Sequence, residues 1–126
     1  MTDDAPRTYD REFVRTLSGP LRTRVGFDRE KNTVYRFVVQ LEYYHDSRWQ
    51  PVVRYDHDSQ GGKQSHDVTE EGLHIDIYRD GEKHVTEYVS PPLPAKHALD
   101  RAEDHLRNNL ERYVDRYETW HRIRDR

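Results

Sequence analysis

Residues 34–57 read VYRFVVQLEYYHDSRWQPVVRYDH, and the period of that run decides the fold. Tyr35, Phe37, Val39, Leu41 and Tyr43 recur at every second position and form one apolar face, against Arg36, Val38, Gln40 and Glu42. A period of two in β-branched and aromatic residues is the signature of a strand with one buried face; a helix would need a period near 3.6. HDSR then turns the chain, and WQPVVRYDH reads as the next strand. Pro51 has no N–H to give to a ladder, so it calls for an edge position or a bulge.

On the N-terminal side, LRTRVGF alternates as well. Leu21, Thr23, Val25 and Phe27 face one way and Arg22, Arg24 and Gly26 the other, so this is a strand joined to the next by the turn DREKN. Before it, YDREFVRTL carries Phe13 and Leu17 four apart, with Thr8 or Asp10 placed as a cap. This spacing predicts a short N-terminal helix ended by SGP. Residues 1–7 are polar and are expected to be a disordered tail, with 8–126 as a single domain.

On the C-terminal side, residues 58–73 read as a loop, with Asp67 or Thr69 able to cap a turn at DVTEEG. LHIDIYR and KHVTEYV flank DGE, a hairpin signal. A three-residue loop with Gly81 left-handed would set Ile77 near Val85, and a two-residue loop would shift that register by one. SPPLP is a stiff connector. From Ala95 to the end, Leu99, Ala102, Leu106, Leu110, Tyr113, Tyr117 and Trp120 recur at steps of three and four, against Asp100, Arg101, Glu103, Arg107, Glu111 and Arg112. That is one long amphipathic helix, and it is the element available to cover the sheet. The expected fold is α+β: an antiparallel meander of about five strands, covered on one face by the C-terminal helix, plus the short N-terminal helix. Trp120 and Ile123, near the free end, are placed for a homodimer contact.

Composition narrows the function classes. The chain has 126 residues, 33% hydrophobic and 36% charged, with a net charge of −3, which is no bulk-basic nucleic-acid binder. Fourteen aromatics (2 Trp, 9 Tyr, 3 Phe) point to a small, aromatic-rich core. Seventeen arginines stand against four lysines, and 14 aspartates against 10 glutamates, a bias expected of a high-salt or GC-rich source. Cysteine is absent, which excludes disulfides, thiolate zinc sites and cysteine nucleophiles. The N-terminus MTDDAPRTYD is not a signal peptide, and no apolar run approaches a membrane span. A soluble, cytoplasmic protein without membrane contact is expected.

The chemistry concentrates in residues 54–84, RYDHDSQGGKQSHDVTEEGLHIDIYRDGEKH, which hold His57, His66, His74 and His84. Alternation puts Ile75 and Ile77 into the core, so His74, Asp76 and Tyr78 face away from the helix. Arg54 and Asp56 likewise point opposite to Val53, Tyr55 and His57. If these two strands pair, an arginine, histidines, aspartates and a tyrosine meet on one surface.

Three readings fit that surface. The first is a metal-free, cofactor-free ribonuclease-like site. Histidines suit acid and base work near neutrality, with His66 and His74 in either order. Arg54 can hold a phosphate through two parallel hydrogen bonds, and Asp76 can orient a histidine. Tyr55 or Tyr78 can stack on a base, with Asp56 lining the substrate site. The second is a metal site drawn from His57, His66, His74, Asp56 and Asp76, with His66, His74 and Asp76 as the core set for zinc, nickel or manganese. No spacing matches a strong motif such as HExxH. The third leaves the segment as the charged surface of a non-catalytic module that binds a protein partner or a second copy.

The run QPVVRYDHDSQGGKQSHDVTEEGLHIDIYRDGEKHVTEYVSPPLPAKHALDRAEDHL resembles a family of small uncharacterised haloarchaeal proteins, a resemblance that implies a cytoplasmic archaeal protein and no particular activity. More distantly, VVRYDH with the later His66 and His74 resembles TumE-type toxins of toxin–antitoxin pairs, small α+β proteins with an RYD strand end followed by a histidine-rich segment. Over those roughly 25 residues this chain spaces its histidines more widely than the family. That resemblance implies toxic action on RNA, Arg54, Asp56, His66 and His74 as site positions, and a separate antitoxin as partner.

Overall fold

The structure is a computed structural model describing residues 9–62 and 65–123. Six strands run in chain order: β1 (Arg11–Thr16), β2 (Leu21–Glu30), β3 (Thr33–His45), β4 (Arg48–Asp58), β5 (Leu73–Arg79) and β6 (Glu82–Ser90). They form one sheet in the order β1-β2-β3-β4-β5-β6, every neighbouring pair antiparallel. A single helical turn, α1 (Val68–Glu71), sits between β4 and β5, and the long helix α2 (Ala95–Trp120) follows the sheet. The fold is the α+β meander that the alternating runs predict. No helix among the described residues is long and apolar enough to cross a membrane. Residues 1–7, expected to be a tail, lie outside the described residues.

The sheet has six strands rather than five because β1 occupies the segment expected to be a short helix. Phe13 and Leu17 are four apart, but EFVRT also alternates, and so short a helix is marginal on its own. Pairing with the free edge of β2 satisfies its backbone, from Arg11↔Phe27 to Thr16↔Arg22, and sets the Phe13 ring 6.5 Å from that of Phe27. The helix α2 also ends sooner than expected. Arg122 turns left-handed at φ 55°, and the N–H groups of Arg122 and Ile123 close back on the carbonyls of Thr119 and Glu118. This is a Schellman stop built without the usual glycine, which hides it from sequence inspection.

One face of the sheet carries the core. Phe37, Val39 and Leu41 on β3, Val53 and Tyr55 on β4, and Leu73, Ile75 and Ile77 on β5 are fully buried under Ala98, Ala102, Leu106, Tyr113 and Tyr117 of α2. Each such leucine or isoleucine contributes roughly 1.5–3 kcal/mol. The buried tyrosines keep their hydroxyls partnered: Tyr43 donates to Glu118 Oε2 at 2.6 Å, and Tyr55 pairs with His105 Nδ1 at 2.8 Å.

Two bulges set which residues reach the other face. On β4 the register steps between Leu41↔Val53 and Glu42↔Pro51, leaving Val52 as the extra residue, so Pro51 is accommodated inside the sheet. Val52 and Val53 are both buried in consequence. In the β5–β6 hairpin, Asp80 and Gly81 both turn left-handed, at φ 57° and 80°, in a two-residue turn that pairs Arg79 with Glu82. A bulge beyond Ile77 then restores Ile77↔Val85.

Candidate functional site

The face opposite α2 forms a polar groove of about 650 Å³. Its lining follows from strand parity: Glu12 from β1, Arg22 and Arg24 from β2, Gln40 and Glu42 from β3, Arg54 and Asp56 from β4, His74 and Asp76 from β5, and Lys83 and Thr86 from β6, with His66 arriving from the loop before α1. Strands β4 and β5 pair only at Val53↔Ile77 and Arg54↔Asp76. Beyond that point they diverge, and His66 and α1 fill the gap.

The groove floor is a hydrogen-bonded chain across three strands. Glu42 accepts from Arg22 Nε at 2.5 Å, from Arg24 Nε at 3.3 Å and from Gln40 Nε2 at 2.5 Å, while Gln40 Oε1 accepts from Arg54 Nε at 2.6 Å. Glu42 and Gln40 are buried, so these charge-assisted bonds compensate their loss of water. Arg54 is thereby fixed through Nε alone. Its terminal nitrogens have no hydrogen bond to the described residues, and its guanidinium carbon lies 5.6 Å from the centre of the Tyr78 ring.

Asp56 sits beside Arg54 without a hydrogen bond to any described residue. Burial, with the Asp76 charge second, pushes its carboxyl above the usual carboxylate range, against the pull of Arg54. Asp76 is engaged instead: Oδ1 accepts from Thr86 Oγ1 at 2.7 Å, and Oδ2 lies 3.4 Å from Lys83 Nζ.

The histidine corner is built by α1. Asp67 caps that turn, accepting from Thr69 N at 2.9 Å, and Gly72 ends it at φ 84°. A Cβ on Gly72 would lie 2.3 Å from Ser90 O, so both the conformation and the space require glycine. The turn carries Glu71 back to His66, whose Nδ1 lies 2.8 Å from Glu71 Oε1, and the Gly72 carbonyl lies 2.8 Å from His66 Nε2. The His74 ring is 4.6 Å from that of His66 and 6.1 Å from that of Tyr88; it makes no hydrogen bond to a described residue.

Arg54, Asp56, His66, His74 and Asp76 all line this one groove. Tyr78 shares their face beneath Arg54. Tyr55, expected to bind substrate, is instead fully buried on the helix side, because it shares the parity of Val53. His57 is buried there too: its Nδ1 accepts from Val68 N at 3.0 Å, its Nε2 meets no hydrogen-bond partner among the described residues, and burial pulls its imidazole below the ordinary value. Its Nδ1 ties the start of α1 to β4. The third side chain beside His66 and His74 is Glu71 rather than Asp76. Sequence reasoning passed over Glu71, Gln40 and Glu42; the DVTEEG turn signal was the pointer to the first, and the even-numbered parity of β3 to the other two.

Comparison with curated proteins and with solved structures returns no match. A family model matches residues 7–123, and the chain belongs to that family, described as a domain of unknown function (DUF7718).

Proposed function

We propose that this protein is a small toxin-like protein that acts on RNA in the polar groove, as a ribonuclease that needs no metal. The observation that supports the reading is that Arg54, Asp56 and His74, each with unengaged polar atoms, line the same groove. Cleavage of RNA through its own 2′-hydroxyl forms the 2′-oxygen–phosphorus bond and breaks the phosphorus–5′-oxygen bond. The 2′-proton passes to a base, and an acid delivers a proton to the departing 5′-oxygen. Asp56, its carboxyl raised by burial, suits the acid. His74 has both ring nitrogens open to serve as the base. Arg54 directs its terminal nitrogens at the phosphate, where charge builds in the transition state. His66, engaged by Glu71 and Gly72, stands behind His74 and positions it. The weak likeness of VVRYDH and the following histidines to TumE-type toxins agrees with this reading, as does the arginine and aspartate bias with a haloarchaeal, cytoplasmic setting. The partner would be a separate antitoxin.

The test is incubation of a labelled RNA oligonucleotide with purified protein in chelator, across pH and salt. Cleavage leaving 2′,3′-cyclic ends, lost in Asp56→Asn and His74→Ala, is the expected result, together with growth arrest by the wild type alone. RNA left intact under every condition, with no growth arrest, would sink the proposal.

A second reading, a non-catalytic interaction or dimerisation module, draws on the sheet edges. Phe13 and Val14 on β1 and Val85 and Tyr88 on β6 are exposed large side chains on strands with a free edge. A strictly monomeric protein in solution with no co-purifying partner would count against it. Trp120, expected at such a contact, is only partly buried: the Arg79 and Arg116 guanidinium carbons lie 4.8 and 5.1 Å from its ring, and His84 packs 5.2 Å away.

A further inference from the structure

We propose that His66, Glu71 and His74 form a binding site for one transition-metal dication of the zinc or nickel type, and that the ion, by occupying both imidazoles, switches off the proton transfer assigned to the groove. The binding half of this proposal stands on geometry alone; the inhibitory half rests on the RNA reading.

Among the described residues, these three side chains are a group whose ligand atoms all lie within 4.8 Å of one another. A tetrahedral ion with bonds of about 2.0–2.1 Å needs ligand atoms about 3.3 Å apart. The His66–Glu71 pair is now closer than that, at 2.8 Å. A small opening of this pair and an inward rotation of His74 bring all three to the required separation. Glu71 is on the surface, its side chain 52% exposed, so it is free to adjust and leaves a path for the ion from solvent.

The surroundings are arranged as a metal site requires. A ligating histidine donates its other N–H to a carbonyl or carboxylate, which fixes the tautomer and aims the lone pair. His66 meets this condition through Nε2–H, donated to the Gly72 carbonyl at 2.8 Å; Nδ1 faces Glu71 Oε1 at 2.8 Å, and the proton shared between those two atoms is the one the ion displaces. The carbonyl is itself held by a glycine whose left-handed conformation leaves no room for another residue. The donor set of two imidazoles and one carboxylate selects zinc, nickel or copper over calcium or magnesium, which prefer oxygen. Three protein ligands leave a fourth position open toward the groove.

The experiment is calorimetric titration of the full chain with zinc chloride and, separately, nickel chloride, alongside cobalt(II) absorption as a report on coordination. One ion per chain is expected, with at least a tenfold loss of affinity in Glu71→Gln and in His74→Gln and none in Asp76→Asn. Circular dichroism verifies folding; Glu71→Gln, at an exposed position, provides the decisive variant should His74→Gln fold poorly. Absence of binding at millimolar metal overturns the proposal, as does binding that both variants leave unchanged. For the inhibitory half, added zinc should stop RNA cleavage by the wild type and chelator should restore it; cleavage that zinc leaves untouched overturns that half. An RNA that is never cleaved removes the inhibitory half while the titration still decides the binding half.

Discussion

Replacing Tyr55 by phenylalanine tests the assignment of faces on which the groove depends. Tyr55 is fully buried, and its hydroxyl lies 2.8 Å from His105 Nδ1 across the sheet–helix interface. His105 is half-buried, and burial, with Arg112 and Arg101 behind it, lowers its imidazole below the ordinary value near 6.5, so Nδ1 accepts from the hydroxyl at neutral pH. Tyr55→Phe keeps the ring and removes one neutral hydrogen bond, worth about 1 kcal/mol, since water can reach the half-buried acceptor afterwards. With a urea slope of about 1.5 kcal/mol per M, the unfolding midpoint falls by about 0.7 M, followed by fluorescence of Trp49 and Trp120. The cycle with His105→Leu should return a coupling of about 1 kcal/mol at pH 7.5. Once the pH falls below His105's lowered value, Nδ1–H donates to the hydroxyl oxygen instead, so the pair reverses its direction and the coupling persists. RNA cleavage should be unchanged. A midpoint that does not move, or an effect on RNA with stability intact, would refute the placement of Tyr55 in the core.

Two further outcomes follow from the corner that carries α1. His57 accepts from Val68 N and is held neutral by burial, with Asp67, Asp58 and His66 as the charges around it. The unfolded chain therefore takes up protons first, and stability should decline as pH falls below about 6.5 and level off once His57 itself protonates; His57→Gln should flatten that slope in urea titrations. Gly72→Ala forces a left-handed alanine and a Cβ 2.3 Å from Ser90 O. It should cost at least about 2 kcal/mol by thermal unfolding, and wild-type stability in this variant would remove the close-approach argument.

Much of this fold is legible because burial on one face writes itself into strands as alternation. β5 coincides with LHIDIYR, and β2, β3, β4 and β6 extend the expected runs by a few residues at most. β1 was hidden because all six of its residues are exposed, so no core imposes a clean pattern on it, and Phe13 and Leu17 happen to satisfy both periods. The shared face of Arg54, Asp56, His74 and Asp76 is legible from the same parity, since they stand on the groove side of two strands that are consecutive in the sheet. Glu71 was not, because alternation is silent about loops: only the capped turn from Asp67 brings a residue five positions along the chain back against His66. Tyr55 was misplaced by asking what a tyrosine can do before asking which way its strand position points.

A strand is a text with a reading frame of two, and Val52 is an inserted letter. Before it, Gln50 is buried against α2, where Tyr117 donates to its Oε1 at 3.4 Å; after it, the odd-numbered residues take the inside. Deleting that one residue would merge the two frames: Pro51 opposite Glu42 would be followed directly by Val53 opposite Leu41, with Gln50 and Val53 still inside and Arg54 and Asp56 still in the groove. The bulge is therefore slack in the text: Val52 adds a buried side chain and a local bend, and a chain one residue shorter there would lose those and keep both its hydrophobic interior and its charged groove.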